Sequence, residues 1–500
     1  MMTAEQQRSG PTVGELFGDD APPALAGRSV PGLAADSRRV TAGGLFLACA
    51  GRRSHGLDHV ADALARGAAL VAWEPVAGRP APALIAGAEC FPVVALGQRS
   101  GEIADVFFGR PSASLDVVGF TGTNGKTTCT QLVGGALEAA GRPAGVIGTL
   151  GAGRVGGLAD LGHTTPDAVE VQRALAAIRD AGGETVAMEV SSHALDQARV
   201  AGVRFRVAGF TNLSRDHLDY HGTLEAYAAA KLALFRTPGL GAAVVNGDDP
   251  LADDVLAQLG SATTAIVVGR DAGDRGDRRL EIEALEHGAT GLTVRFGGSW
   301  GQGRLRSPLW GEFNGSNLIL ALGALLALGL ELGEATDALG SIAAPAGRME
   351  LFVAPHPGPR VIVDYAHTPD ALAQALAAVR AHCEGRVWCV FGCGGERDRG
   401  KRPEMGAVAE ELADEVVVTD DNPRGEDGDA IVAQILAGMR GRPRVERDRR
   451  RAIATAVSTA GPADVVLVAG KGHEDYQLVA GERRAFSDRS LVRELLGVGS

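Results

Sequence analysis

Positive charge is in short supply in this 500-residue chain, where 49 Lys and Arg stand against 61 Asp and Glu for a net charge of -12. A general attraction to nucleic acid or to an anionic membrane is thereby excluded, and a small anionic ligand needs a local cluster of cations. Cysteine is sparse as well. Cys49, Cys90, Cys129, Cys383, Cys389 and Cys393 are scattered, and Cys389 with Cys393 lacks the second pair and the spacing of a zinc site, so buried, reduced thiols are expected. No apolar run reaches the ~20 residues that span a bilayer; the nearest approach, at 318–333, is too short. The N-terminal residues carry no apolar stretch behind a basic start, so no secretory leader is expected and a cytoplasmic protein is. Repeats of fixed period and low-complexity tracts are missing too.

What is present points to several α/β domains. Hydrophobic content of 45% can bury large cores, and a prior of roughly 150 residues per domain gives about three. The 70 glycines follow no collagen-like period and read as tight strand-to-helix turns. Short β-rich runs alternate with Ala-rich helical stretches: ALVAW, LDVVGFTG, TVAMEVSS, RVIVDYAH, RVWCVFGCGG, EVVVTDDNP and DVVLVAGKG. That alternation predicts mainly parallel sheets, with ligands beyond the carboxyl ends of the strands, where each run turns polar or glycine-rich. Segment 107–116 and the four prolines of 341–360 place boundaries near 110 and 346. The expected domains are 1–110, 111–345 and 346–500.

The stretch GFTGTNGKTT at 119–128 lies between an apolar run and a helical one, the context a phosphate-binding loop needs. It departs from the usual G-x-x-x-x-G-K-[ST] spacing, since Phe120 stands where the first glycine is expected. Backbone N–H groups of Gly122, Thr123, Asn124, Gly125 and Thr128 would cradle phosphates, Lys126 would neutralise them, and Thr127 would offer a hydroxyl to Mg2+. The bland alternative is a glycine-rich turn with a chance Lys-Thr.

T-G-T-N-G-K-T-T resembles the loop of the Mur ligase family and of the related folylpolyglutamate synthetases, which are ATP-dependent carboxylate-amine ligases. Further family motifs follow in order along nearly the whole chain. The resemblance implies three domains, with a central P-loop ATPase domain and a C-terminal Rossmann-like one. Glu189, at the end of AMEV, suits a Mg2+ ligand. FTNLSRDHLDYHGTLEAYAAAKLALF offers His217 and Lys231. Read bare, His217 also suits a hydrogen-bonded structural histidine, and periodicity makes Lys231 a solvent-exposed lysine on an Ala-rich helix. The resemblance instead implies a CO2-derived carbamate on Lys231, with Thr127 and Glu189 on one Mg2+ and Glu189, His217 and the carbamate on the other. Lys126, His217 and Lys231 are the implied catalytic groups.

The same resemblance implies the remaining contacts. For ATP these are Asn314 and Asn317 near the adenine, Arg348 at a hinge, and Asp364, Tyr365 and His367 from the third domain. In ADSRRVTAGGLFLACAGRRSHG, Ser37 would meet the UDP-sugar, with Arg52, Arg53 and Ser54 near its diphosphate; a solvated charge pair is the alternative for the arginines. Thr164, Thr165, Ser191, Gln197 and Arg199 would meet the sugar-peptide, although His163 stands where an Asn is expected. Arg397, Asp421, Asn422, Pro423, Arg424, Gly470 and Glu474 would hold meso-diaminopimelate. TDDNPRGE resembles the D-N-P-R motif of members that add this amino acid, whose extra distal carboxylate calls for an arginine that a lysine substrate would leave unpaired. A helix-start aspartate and a surface arginine are the alternatives for Asp421 and Arg424. GGERD replaces the more familiar GGDRD and conserves charge.

The activity so implied is ligation of meso-2,6-diaminopimelate to the D-Glu carboxylate of UDP-N-acetylmuramoyl-L-alanyl-D-glutamate through an acyl phosphate, in peptidoglycan precursor synthesis, by a monomer. No residue is assigned to take the amine proton. A lysine-adding relative is opposed by D-N-P-R, a folylpolyglutamate synthetase by the DSR start, and a noncatalytic nucleotide-regulated binding protein by Glu189, His217 and Lys231 together.

Overall fold

The computed structural model describes residues 10–52, 54–80 and 87–498, so Arg53 lies outside the described residues. These form two compact units. One runs up to Arg279 and includes Leu320–Glu331, and the other joins Leu280–Ile319 to the residues from Leu332 onward.

The first unit opens with a parallel sheet in the order β1 (Leu33–Ala34), β2 (Leu45–Ala48), β3 (Leu70–Trp73), β4 (Glu89–Pro92). Its next strands are β5 (Asp116–Thr121), β6 (Ala144–Gly148), β7 (Gly151–Arg154), β8 (Thr185–Glu189), β9 (Phe205–Phe210), β10 (Ala242–Asn246) and β11 (Thr264–Gly269). They lie in the order β11-β10-β9-β5-β8-β6-β7, all parallel except β7. The continuous apolar character of LDVVGF has a simple cause: β5 is central, and from Val117 to Thr121 it is buried on both faces.

Phe120 explains the unusual spacing of the loop. It pairs in register with Gly209 on β9, and a Cβ added to Gly209 would lie 2.4 Å from its ring. The ring thus fills the space that a side chain would otherwise take on the neighbouring strand.

In the second unit, β12 (Arg278–Gly288), β13 (Gly291–Gly298) and β14 (Gly303–Ser307) form an antiparallel meander. A six-stranded sheet follows, in the order β15 (Glu350–Phe352), β16 (Arg360–Asp364), β20 (Val465–Ala469), β17 (Val387–Phe391), β18 (Glu415–Val418), β19 (Arg444–Val445), with only β15 antiparallel. A hairpin, β21 (Tyr476–Val479) with β22 (Glu482–Ala485), leaves the C-terminal side of β20. Apolar clusters cover both faces of this sheet. All seven apolar runs named from the sequence are strands, β3, β5, β8, β16, β17, β18 and β20. The six cysteines are free thiols, and among the described residues no helix is long and apolar enough to cross a membrane.

Candidate functional site

Two clusters gather at the carboxyl ends of parallel strands, one in each unit. In the first, β5 ends in the loop and helix Lys126–Ala139 begins. Gly122 has φ 147°, and a Cβ there would sit 1.8 Å from the Thr211 hydroxyl; Gly125 caps the helix at φ 85°. Only glycine suits both places. The loop is braced from the segment after β9: Asn212 accepts from the Asn124 N–H (3.0 Å), and Thr211 donates to the Asn124 carbonyl (2.6 Å). Lys126 Nζ donates to the carbonyls of Gly122 and Thr123, both at 2.9 Å, which holds the ammonium over the loop. Thr128 is buried beneath it.

Glu189, at the end of β8, is buried and accepts from the Thr127 hydroxyl (2.9 Å) and from the Thr149 N–H (2.7 Å) and hydroxyl (3.2 Å). A Cβ on Gly148 would lie 2.3 Å from its Oε1, so the turn after β6 is built around this carboxylate. The Thr149 hydroxyl is also within hydrogen-bond distance of the Thr164 hydroxyl (3.0 Å), while Thr165 donates to the Glu189 carbonyl (2.8 Å) and accepts from the Ser191 N–H (3.1 Å). Thr149 was not legible in the sequence; its only signal is its place just past a glycine-ended strand.

Lys231 corrects the reading from periodicity, since it is only 1% exposed. Helix Leu224–Leu232 turns Tyr227, Ala228 and Lys231 inward. Its many alanines give no apolar stripe by which a sequence pattern could find that face. Lys231 Nζ donates to the Gly122 carbonyl (2.6 Å) and lies 4.3 Å from the Tyr227 ring centre. Burial first, and then the Lys126 ammonium, push the Lys231 amine well below the usual lysine range against an opposing pull from Asp216. His217, in a left-handed conformation at φ 53°, is likewise lowered by burial, with Lys126 and Lys231 adding to that effect and Asp216 opposing it.

Beside His217 stands a ring cluster that the sequence did not reveal. His193 packs 4.8 Å from the His217 ring and 4.0 Å from Tyr220, and burial followed by the neighbouring cations brings it down to about 4. The Tyr220 hydroxyl donates to Asp196 (2.7 Å) and accepts from Gln197 (2.7 Å). Arg52 stacks on Tyr220 (4.1 Å), donates to its carbonyl (3.2 Å) and stands 3.5 Å from Asp196. Arg52 is therefore tied to the segment carrying His217 and is not a freely solvated charge. Arg199 donates to Gln197 Oε1 and the Thr165 carbonyl, Ser191 caps helix Ser192–Asp196, Ser37 is buried at the start of a short 3-10 turn, and Ser54 is exposed.

In the second unit, Asn317 donates to Asn314 and Asn314 to the Trp310 carbonyl (2.8 Å), inside a buried helix start. Arg348 stacks over Tyr365 (4.3 Å), and Asp364 accepts from the Met349 and Ala366 N–H groups. Burial pushes the Asp364 carboxyl up, opposed first by Arg348. His367 is exposed and bonds the Tyr365 carbonyl through Nδ1.

The ends of β17, β18 and β20 bring together Asp421, Asn422, Pro423, Arg424, Gly470 and Glu474. Arg424, left-handed at φ 54°, donates through Nη1 to the Gly395 carbonyl (2.7 Å). Asn422 Nδ2 donates to Glu474 Oε2 (2.9 Å), and a Cβ on Gly470 would come within 2.6 Å of Asp421 Oδ2. Arg397 is exposed and, among the described residues, makes no side-chain hydrogen bond or ion pair. Lys471, absent from the sequence reading, sits wholly buried between Asn422 and Glu474.

Three family descriptions match in succession: "Mur ligase family, catalytic domain" over 29–105, "Mur ligase middle domain" over 120–325 and "Mur ligase, glutamate ligase domain" over 347–472. A relative from Xanthomonas campestris pv. campestris (strain 8004), named UDP-N-acetylmuramoyl-L-alanyl-D-glutamate--2,6-diaminopimelate ligase, is 50% identical over 93% of this chain and 94% of its own. One of the same name from Alkalilimnicola ehrlichii is 51% identical, covering 94% of this chain and 95% of its own. A solved structure also bearing that name superposes with a TM-score of 0.70 at 34% identity, covering 98% of this chain and 99% of that one.

Proposed function

The chain belongs to the Mur ligase family, and from that premise we propose that it joins meso-2,6-diaminopimelate to the D-glutamate carboxylate of UDP-N-acetylmuramoyl-L-alanyl-D-glutamate, at the expense of ATP, in the synthesis of peptidoglycan precursors. The observation that carries the choice of amino acid is Arg424 beside the Asn422 and Glu474 pair: a cation for a distal carboxylate and an anion for a distal ammonium. Residues 1–110 are assigned to the UDP-sugar, 111–345 to ATP and 346–500 to the amino acid, in line with the three matched regions. A cytoplasmic monomer completes the reading.

ATP lies along residues 122–128, with Asn314, Asn317, Arg348, Asp364, Tyr365 and His367 as its further contacts. Ser37, Arg52, Arg53, Ser54, Thr164, Thr165, Ser191, Gln197 and Arg199 serve the UDP-dipeptide. Thr127 and Glu189, 2.9 Å apart at a helix start, present hard oxygens that fit a divalent cation. The family resemblance adds a further oxygen from Lys231, as a carbamate. Burial, which disfavours the ammonium form of Lys231, suits this: the amine nitrogen would add to CO2 and release one proton to solvent, leaving an anionic carbamate. Thr127 and Glu189 would hold one Mg2+, and Glu189, His217 and the Lys231 carbamate the other; the ions would supply positive charge to the phosphate oxygens.

In the reaction a D-glutamate oxygen attacks the γ-phosphorus, the bond to the bridging oxygen breaks, and ADP leaves an acyl phosphate. Lys126 offsets the charge that develops on the phosphates. Arg397, Asp421, Asn422, Pro423, Arg424, Gly470 and Glu474 then hold diaminopimelate so that its neutral amine meets the acyl carbon. Phosphate departs as the amide forms and the nitrogen loses a proton. Most of the acceleration is positioning and electrostatics. Phosphate release from ATP with the UDP-dipeptide and either meso-diaminopimelate or L-lysine tests the proposal. Release with diaminopimelate alone is expected; no release with either overturns the ligase, and preference for lysine overturns the role of Arg424.

A further inference from the structure

Lys471 has none of its side chain exposed, a rare setting for a lysine unless it is paired. Its Nζ donates to Glu474 Oε2 (2.8 Å) and to Asn422 Oδ1 (3.1 Å), and it lies 5.5 Å from the Tyr476 ring centre. Glu474 Oε2 also accepts from Asn422 Nδ2 (2.9 Å), and Asn422 Oδ1 from the Leu478 N–H (2.9 Å). Two donors therefore commit one oxygen of Glu474 and fix its rotamer, while among the described residues no hydrogen bond reaches Oε1. The Glu474 side chain as a whole keeps 17% of its surface open.

The charge count gives this arrangement a purpose. Asp421 lies at the same strand ends as Glu474, with its Oδ2 against Gly470, so two carboxylates border a place that must accept a third from the substrate. Arg397 and Arg424 are the cations assigned to the substrate, and the buried Arg449, paired with Asp488, adds its field at Asp421 and Glu474, but Lys471 is the cation in direct contact with Glu474. Without that contact, the glutamate that attracts the substrate ammonium would repel the carboxylate on the same carbon of the substrate more strongly.

We infer that Lys471 is a specificity-determining positioning residue, which neutralises Glu474 from behind and aims its free oxygen, so that an amino acid ending in both an ammonium and a carboxylate is accepted. The inference rests on the proposed diaminopimelate-adding activity. Lys471→Gln, which keeps hydrogen-bond donors and removes the charge, is measured as full-length protein by phosphate release, beside Glu474→Gln and the double variant. Lys471→Gln raises KM for meso-diaminopimelate at least ~10-fold, with kcat and the KM values for ATP and the UDP-dipeptide within about threefold. In the Glu474→Gln background the same change adds less than about twofold, because the charge it served is gone. A diaminopimelate KM within about twofold of wild type overturns the inference, as does a double variant that multiplies both losses. If Lys471→Gln does not fold, Lys471→Met with Glu474→Gln, which leaves no unpaired charge, is compared with Glu474→Gln on the same criterion. Absence of diaminopimelate-dependent phosphate release by the wild type marks failure of the functional reading instead.

Discussion

The two clusters treat buried charge in opposite ways. In the first unit, cations and histidines crowd together and burial weakens their charge: burial and then the Lys126 ammonium lower Lys231, and burial lowers His217, His193 and Arg199, with Asp216 opposing at Lys231 and His217. In the second, cations are matched in ion pairs, Lys471 with Glu474 (2.8 Å), Arg402 with Glu426 (2.9 Å) and Arg449 with Asp488 (2.7 Å). The difference teaches what each is built to receive. A surplus of positive groups around a glycine loop is completed by a polyanion, whereas a neutralised scaffold suits a zwitterion whose charges must be read one at a time.

The comparison breaks most forcefully at Lys231. Lys231→Ala is expected to lower kcat by ~1000-fold or more, and short carboxylates such as acetate should restore part of it in the assay, whereas short amines should not. Rescue by amines alone would mean that the lysine acts as a cation and that the first cluster is no different in kind from the second. At the other site, Arg424→Ala should raise the diaminopimelate KM by ~100-fold and leave that for ATP unchanged. An equal loss for ATP would show that the two clusters are not separable by ligand.

Acid stability sharpens the contrast. His193 titrates near 4 in the folded chain against 6.5 as its ordinary value. Between these values the unfolded chain binds more protons, so folding stability falls as pH drops from about 6.5 towards 4. His193→Phe should flatten that part of the profile, measured as denaturant midpoints at several pH values; an unchanged slope would place the acid sensitivity elsewhere. Arg52→Ala should have the smallest effect, about two- to fivefold in KM for the UDP-dipeptide, because a largely exposed cation over a ring contributes only ~0.5–1 kcal/mol.

The strands were legible because central parallel strands are buried on both faces and write that into continuous apolar runs. The loop and Glu189 were legible because they sit where such runs stop. Lys231 was hidden from periodicity because alanine serves a buried and an exposed helix face alike, and only family resemblance marked it. Thr149 reaches the first cluster from a turn, and His193 and Tyr220 from two short helices, whose convergence no local pattern encodes. Lys471 stands between Gly470 and Glu474, both singled out, yet whether a lysine in a strand-end loop turns inward depends on partners some fifty residues away, as the bond to Asn422 shows.

The ring of Phe120 opposite Gly209 has a consequence for registry. One strand carries a protrusion where its neighbour carries a hollow, so β5 and β9 behave as a keyed pair. Sliding β9 by one residue would set Ala208 or Phe210 against the ring, and a one-residue slip also turns every side chain to the wrong face. The tooth therefore fixes the axial offset between the loop that follows β5 and the Thr211 and Asn212 brace that follows β9. A designer who restored the usual glycine at 120 would have to rebuild position 209 as well, since the two residues form a single mechanical part.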